Sequence, residues 1–433
     1  MSPLVLVGLV AVLLWSLVAH RFERWGVAGP AALLVLGAAA IAGNIPAFAS
    51  AIDTEASEKV VEVILAIILF VDATEVRGGG IFGGEGRVTL RLVLIALPLS
   101  LILAVVVAVW MIPESIVVIL ALVCVIMPTD FAPAARILRL AHVPPRVRQI
   151  LNVESGYNDG LISPIFAMSL AISVALTELV RAHPSEQEKI LTDGLEKIAD
   201  AFVTAVPASV VAIAVGIVLG FVFGWAVRVL HRRGFANDAG IRFVMLLLPL
   251  VAFGAAVEIP AVHANGFVAA FVAGLVYRIA RTKGIPDRAI PHDELLLVDE
   301  IGVLTTNFVW FMLGGTTLVA FVTGVDPLVI VLALLALTVL RIGPVYLSLM
   351  GSSIAPRDRL LIGALGPRGT ASIVFGLLAY NALPTDSPEA DFVLDVMVVT
   401  VVGSVLLHGV LAPLVLRRMD RAGSLSGKAL TAE

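Results

Sequence analysis

Residues 121–138 read ALVCVIMPTDFAPAARIL, an apolar run that two prolines interrupt around a threonine and an aspartate. Pro128 and Pro133 each lack a backbone N–H, so a helix cannot continue unbroken through Thr129 and Asp130. Inside a bilayer, such a break persists only where protein or a water-filled cavity satisfies the freed backbone groups. The stretch therefore predicts a broken transmembrane helix beside a polar site.

The composition of the whole chain supports a membrane protein. Of the 433 residues, 59% are hydrophobic and only 14% are charged, whereas a soluble domain carries about 25% charged residues. This charge deficit excludes a soluble enzyme, a disordered regulator and a nucleic-acid-binding protein. The net charge of -4 indicates no acidic or basic partner, and a single cysteine, Cys124, cannot form an intramolecular disulfide. We predict an all-α polytopic membrane protein.

Hydropathy along the chain predicts thirteen transmembrane helices, since a helix needs about 20 apolar residues to cross the hydrocarbon core. The first apolar run lacks the basic region of a signal peptide and is interpreted as a retained span. The thirteen segments comprise approximately residues 3–19, 26–43, 60–76, 90–112, 115–140, 149–177, 201–229, 240–258, 261–281, 298–322, 326–350, 358–380 and 392–416.

Basic residues alternate along these segments in a way that predicts the orientation of the chain. Of the 29 Lys and Arg residues, 23 lie near the ends of odd-numbered segments, and four lie in the loops after even-numbered ones. Cytoplasmic loops carry the excess of Lys and Arg. We therefore expect a multi-pass protein of the cell (plasma) membrane, with its N-terminus outside and a short cytoplasmic tail at residues 417–433.

A second broken helix is predicted in segment twelve, where residues 363–372 read GALGPRGTAS. Each break falls in the fifth segment of a set of six, which indicates an inverted repeat. Interrupted helices at corresponding positions of two halves mark the midplane site of a secondary transporter, although two ordinary proline kinks would give the same pattern. The first repeat, the linking helix and the second repeat comprise about residues 3–177, 201–229 and 240–416 within one transmembrane domain.

Segment six supplies candidate cation ligands at residues 152–166, NVESGYNDGLISPIF. Ser155 and Asp159 are four residues apart and share one face of a helix. Together with Thr129 and the freed backbone carbonyls, they offer hard oxygen ligands. Such ligands suit an alkali cation better than a transition metal, which prefers His or Cys. The alternative is that Asp159 is a structural acid in a salt bridge.

Two arginines, Arg341 and Arg368, lie inside apolar segments. A charge at the centre of the bilayer costs about 2.5–3.5 kcal/mol, so each arginine needs a partner. Glu154 lies off the face that carries the predicted cation ligands and needs a cation of its own. We predict that Glu154 and Arg341 form a structural ion pair between segments six and eleven.

Arg368 lies at the break of segment twelve, near the negative ends of half-helices, and is predicted to compensate charge there. We expect it to pair with Asp130, with extension to the cytoplasmic interface as the alternative. Asp72, in segment three, either approaches the ion site or marks the end of its helix.

At this point the chain resembles the monovalent cation:proton antiporter superfamily, in its NhaP-type sodium/proton antiporter branch, which includes the eukaryotic sodium/proton exchangers. The motifs occur in order along the chain, and the predicted thirteen spans match the family. Phe131 departs from the family pattern, because proline is usual at that position. The motifs are Thr129-Asp130 (the family's TDP), Glu154-Ser155 with Asn158-Asp159 (ESxxND), and Gly366-Pro367-Arg368-Gly369 (GxRG).

The resemblance implies that Asp159 binds sodium or a proton in turn, with Thr129 and Ser155 as further ligands. Asn158 stands in place of a second titrating aspartate, as in electroneutral one-to-one exchangers. We place Asp130 and Asp72 in the same cation- and proton-binding group. The resemblance also implies that the Glu154–Arg341 pair is stabilising and that the protein is a homodimer whose six-helix core moves against a dimerisation domain. No cofactor is expected.

The predicted function is sodium/proton antiport through competition at the carboxylate of Asp159, which can hold a proton or an alkali ion but not both. Potassium/proton antiport is the first alternative. A sodium-coupled symporter for an organic acid, with Arg368 holding the substrate carboxylate, is a second. An intramembrane aspartyl protease that uses Asp130 and Asp159, or a passive channel, fits the sequence less well, so no enzymatic activity is expected.

Overall fold

The computed structural model describes residues 3–25, 27–46, 48, 54–76, 81–131, 143–181, 187–259, 264–285, 289–384 and 387–412. These residues form helices and connecting turns, and no strand occurs among them. In chain order, the helices are α1 (Pro3–Trp25), α2 (Gly29–Ile41), α3 (Glu55–Glu75), α4 (Gly86–Met111), α5 (Ile116–Ile126), α6 (Pro145–Arg181), α7 (Gln187–Arg232), α8 (Asp238–Val257), α9 (Gly266–Arg281), α10 (His292–Thr323), α11 (Pro327–Ser348), α12 (Pro356–Ala364), α13 (Thr370–Ala382) and α14 (Pro388–Leu411).

Within this described part of the chain, 8 helices are long and apolar enough to cross a membrane. They are α1, α4, α6, α7, α8, α10, α11 and α14. Three further apolar helices, α2, α5 and α13, are shorter. Each of the thirteen predicted segments overlaps at least one helix, and the all-helical membrane fold is confirmed. The number of crossings, the inverted repeat and the boundaries of the repeats stay predictions.

Helix α7 shows how the fold separates packing from lipid exposure. Ile217 and Phe221 are exposed on one face, as lipid-facing side chains are. On another face, a Cβ placed on Gly220 would lie 2.5 Å from the carbonyl oxygen of Ala273 in α9. Small residues let transmembrane helices approach at the level of their backbones. Helices α7 and α9 therefore pack with almost no side-chain volume between them.

The two predicted breaks are present at the centre of the molecule. Helix α5 ends at Ile126, and residues 127–131 continue without helical structure; residues 365–369 likewise separate α12 from α13. The N–H of Asp130 in the first break donates to the carbonyl oxygen of Pro367 in the second, at 2.9 Å. A backbone N–H of the first break and a backbone carbonyl of the second break therefore satisfy each other. The remainder of the fifth predicted segment, residues 132–140 with Pro133, lies outside the described residues, as do residues 413–433.

A third interruption, in α11, was not predicted. Thr338 has φ −124° and ψ −94°, and it separates Pro327–Leu337 from Val339–Ser348. Neither glycine nor proline occupies position 338, so the sequence carries no local signal for this break. It frees backbone carbonyl groups at the end of the first half of α11, next to the two broken helices.

Helix α6 reaches this centre through a face with little side-chain volume. A Cβ on Gly156 would lie 3.2 Å from the carbonyl oxygen of Asp72 in α3, and a Cβ on Gly160 would lie 2.6 Å from the ring of Phe271 in α9. The glycines allow α6 to lie directly against α3 and α9. The polar residues on the rest of α6 are thereby brought to the broken helices.

Candidate ion-binding site

Thr129 is the residue by which α6 contacts the first break. The hydroxyl of Ser155 donates to the carbonyl oxygen of Thr129 at 2.7 Å. The amide Nδ2 of Asn158 donates to Oγ1 of the same threonine, also at 2.7 Å. The structure thus brings three of the predicted site residues into direct contact. Their oxygen atoms form a group of hard ligands for a cation at the point where the helix is interrupted.

Asp159 follows on the same helix and is buried, with 1% of its surface exposed. Its Oδ1 has no hydrogen-bond partner among the described residues, and neither has Oδ1 of Asn158. A buried polar atom without a partner costs free energy, and an unpaired carboxylate costs more. No ion pair joins Asp159 to a basic side chain in the described part of the chain. A bound cation or proton would remove this cost.

A cavity of about 1140 Å³ reaches Ser155. Asp72 from α3, Asp130 from the first break and Ser155 from α6 line its wall together. The structure therefore places Asp72 beside the site, three residues before the end of its helix. Charged side chains near the ends of α1 and α3 and in the first half of α10 also line the cavity. They include Glu23, Arg24, Glu75 and Asp299.

Glu154 and Arg341 form a bidentate ion pair between α6 and α11. The Nη1–Oε1 and Nη2–Oε2 distances are 2.9 Å and 3.0 Å, and both side chains are buried. The planar guanidinium of arginine matches the two oxygens of a carboxylate in this geometry. The pair joins the helix that carries Asp159 to the helix that is interrupted at Thr338.

The prediction that Arg368 pairs with Asp130 is wrong, and so is the alternative that Arg368 extends to the interface. Arg368 is fully buried, and its guanidinium donates to the carbonyl oxygens of Ile126, Gly366 and Ala336, the last at 3.0 Å. Ile126 is the last residue of α5, and Ala336 lies in the last turn of the first half of α11. Carbonyls at helix C-termini carry partial negative charge. Two such carbonyls, together with that of Gly366 in the second break, can hold one cationic side chain.

Asp130 instead faces the N-terminus of α13, whose partial charge is opposite to that of the carboxylate. Its Oδ2 accepts a long hydrogen bond, 3.4 Å, from the N–H of Ala371 in the first turn of α13. The N-terminus of a helix carries partial positive charge. Arg368 and Asp130 therefore each face helix ends of complementary sign.

Two buried side chains of α14 contact the second break and were missed by the sequence analysis. Oγ of Ser404 accepts the N–H of Arg368 at 2.7 Å, and Nε2 of His408 lies 3.1 Å from the carbonyl oxygen of Ala364. A histidine inside an apolar segment was the available signal, because an ionisable residue at membrane depth is rare. No cluster of three or more His, Cys, Asp or Glu side chains able to hold a metal ion occurs among the described residues.

Comparison with known proteins places this arrangement in a family. Residues 8–418 match the family model described as sodium/hydrogen exchanger, transmembrane. The chain belongs to this family. The members of the sodium/hydrogen exchanger family are transporters, so the predictions of a multi-pass membrane transporter and of no enzymatic activity are confirmed. No protein with a curated description matches the chain in a sequence comparison.

The fold of this sodium/hydrogen exchanger family member is similar to solved structures of an archaeal antiporter. The first is the sodium proton antiporter MjNhaP1 from Methanocaldococcus jannaschii at pH 8, with a TM-score of 0.73 and 19% sequence identity over 94% of this chain and 96% of that chain. An electron-microscopy structure of MjNhaP1 gives a TM-score of 0.67 and 19% identity, covering 96% of this chain and 98% of that chain. The likeness in fold extends over nearly the whole chain.

Proposed function

We propose that this protein is a secondary active antiporter that exchanges a monovalent alkali cation, sodium, for protons in a one-to-one ratio. The observation that carries the proposal is the carboxylate of Asp159, which is buried beside Asn158 and has an oxygen without a hydrogen-bond donor. A carboxylate in this position gains free energy from either a proton or an alkali cation. Because the two ligands compete for the same oxygens, binding of one releases the other.

The cation would be held by oxygen atoms that α6 and the first break already position. The hydroxyl of Ser155 donates to the carbonyl oxygen of Thr129 at 2.7 Å, and Ser155 lies one helical turn before Asp159 on α6. Oxygen ligands at a helix break suit an alkali ion, since hard cations prefer oxygen. In this proposal, Asp72 and Asp130 border the route between the site and the cavity.

The proposed one-to-one stoichiometry rests on Asn158. It is an amide that cannot titrate, and its Nδ2 donates to Thr129. With Asp159 as the carboxylate that is alternately protonated and cation-bound, one positive charge moves each way per cycle. The exchange would then be electroneutral.

We also propose that the cavity faces the cytoplasm in this conformation. It is lined by Arg24 and by residues near the end of α3 and in the first half of α10, and the positive-inside rule assigns these parts of the chain to the cytoplasmic side. Alternating access would then move Asp159 between this cavity and the outer surface. The plasma-membrane location, the external N-terminus and the homodimer belong to the same proposal.

The test is cation-driven proton flux in proteoliposomes, read from the dequenching of a pH-sensitive dye with sodium, potassium and lithium in turn. We expect wild-type protein to give a dequenching signal with sodium and Asp159→Asn to give none. Asp395→Asn, which changes a half-buried aspartate of α14 outside the site, is the matched control and should retain the flux. Flux retained in Asp159→Asn would overturn the assignment, and a signal with potassium alone would make the protein a potassium/proton antiporter.

An organic-acid symporter has less support from the structure. In that mechanism the guanidinium of Arg368 would hold a substrate carboxylate, but its Nε, Nη1 and Nη2 all donate to backbone carbonyl oxygens. A substrate would have to displace these contacts in a buried position. Proton or sodium flux that depends on an organic acid in the same vesicles would favour the symporter.

A further inference from the structure

Helix α14 leaves α-helical geometry at the level of the second break. Residues Val405–Leu411 form a π-helical turn, in which the N–H of Ala412 donates to the carbonyl oxygen of Leu407, five residues back. Turns of this kind are rare and frequently lie at functional sites. The turn carries His408, whose side chain is buried.

Both ring nitrogens of His408 have partners. Nε2 lies 3.1 Å from the carbonyl oxygen of Ala364, the last residue of α12, and Nδ1 lies 3.4 Å from Oγ of Ser404. A carbonyl oxygen can only accept, so Nε2 carries the hydrogen. Ser404 accepts the N–H of Arg368, which leaves its own hydrogen for Nδ1. The neutral tautomer with hydrogen on Nε2 satisfies all three contacts.

These contacts reach the candidate ion site through the backbone of the second break. Ser404 holds the N–H of Arg368, and the carbonyl oxygen of the preceding residue, Pro367, accepts the N–H of Asp130. Thr129, whose oxygens contact α6, is the residue directly before Asp130. A displacement of the Pro367–Arg368 peptide would therefore move the backbone that carries the proposed cation ligands.

We propose that Ser404 and His408 are positioning residues for cation binding. Acting through the main chain of Arg368, they hold the second break in the position that places the oxygens of Thr129 at the cation. His408 also contacts the end of α12 at Ala364, so Ser404 and His408 together hold both sides of the break. The inference rests on the proposed antiport, since it concerns how the same site is held.

The experiment measures the apparent KM for sodium and the maximal rate of exchange in proteoliposomes, using equal amounts of purified protein. His408→Leu removes both hydrogen bonds at similar volume, and we expect it to raise the apparent KM about fivefold or more, the effect of losing about one hydrogen bond. His408→Gln keeps a donor and an acceptor and should return KM to within about twofold of wild type. Ser404→Ala removes a single oxygen atom and should raise KM as His408→Leu does. It tests the contact to Arg368 even if the leucine variant folds poorly.

Thr400→Val is the matched control. Thr400 is buried in α14, one turn before Ser404, and its Oγ1 has no partner among the described residues. It should leave KM unchanged. A general loss of stability would lower the maximal rate per protein without changing KM. An unchanged KM in both His408→Leu and Ser404→Ala, or no rescue by glutamine, would overturn the positioning role. Absence of exchange in wild-type vesicles would instead overturn the proposed antiport.

Discussion

Nε of Arg341 lies so close to Gly366 that a Cβ at position 366 would come within 1.9 Å of it. The same guanidinium pairs with Glu154 through its two terminal nitrogens. One arginine therefore joins α6, α11 and the second break. The glycine at this position is required by the close approach of the arginine, since any side chain would occupy the same space.

Gly366→Ala should displace Arg341 and weaken its pair with Glu154. A forced shift in a packed interior costs about 1–3 kcal/mol, so we expect a lower melting temperature of the detergent-solubilised protein. Gly343→Ala, in α11 and with nothing within 4 Å of the added Cβ, is the control and should not lower it. Equal melting temperatures for Gly366→Ala and wild type would show that the arginine moves freely.

Glu154→Gln should lower stability more than it changes the apparent affinity for the cation. The amide cannot neutralise Arg341, and an orphaned buried charge costs about 3–5 kcal/mol. Thermal unfolding and sodium-dependent exchange of the same preparation separate the two effects. Glu85→Gln provides the control, because Glu85 pairs with Arg146 at the surface and exposed pairs contribute about 0–1 kcal/mol. A large change in KM at unchanged melting temperature would place Glu154 among the ligands.

The sequence predicted the two breaks because proline and glycine change the backbone locally. Pro128 precedes Thr129, and Pro367 follows Gly366 two residues before Gly369. Each interruption therefore has a local signal in the sequence. The pairing of Glu154 with Arg341 was predictable for a different reason. Few charges lie inside the apolar segments, and a buried acid needs one of the few buried bases.

The partners of Arg368 could not be predicted, because backbone carbonyls at helix ends have no sequence signature. The ends of α5 and of the first half of α11 meet the second break around this side chain only in the folded protein. The second of these ends depends on the break at Thr338, where neither glycine nor proline occurs. The contacts of His408 and Ser404 likewise involve backbone groups of α12 and the second break. Sequence reasoning therefore found the side-chain pair and missed the contacts that involve the backbone.

Asn158→Asp should leave exchange intact and change the charge that moves per cycle. The substitution adds a second carboxylate beside Asp159 and removes the amide that donates to Thr129. If the new carboxylate is protonated and deprotonated during the cycle, two protons move per cation and the membrane potential then affects the rate. A potential-sensitive dye measures this in proteoliposomes, with wild type as the electroneutral reference. Complete loss of exchange would show that the amide itself is needed to hold Thr129.

Glu114, in the loop between α4 and α5, provides a pH-dependent prediction outside the membrane-spanning helices. Burial of the half-buried carboxyl, and then the negative charge of Glu389, raise the pKa of Glu114 above its ordinary value of 4.5. The folded protein thus binds this proton more tightly than the unfolded chain does. Ionisation of Glu114 consequently destabilises the fold as the pH rises above 4.5, and the cost is complete above the raised pKa.

Glu114→Gln should therefore melt at a higher temperature than wild type at pH 8, and the difference should shrink as the pH falls towards 4.5. Melting curves of the detergent-solubilised protein across this range measure the effect. Glu389→Gln removes the second cause alone and should give a change of the same sign but smaller size, since burial of Glu114 is the larger cause. A difference between Glu114→Gln and wild type that grows towards acidic pH would mean that the carboxylate is stabilised in the fold and that this account of the loop is wrong.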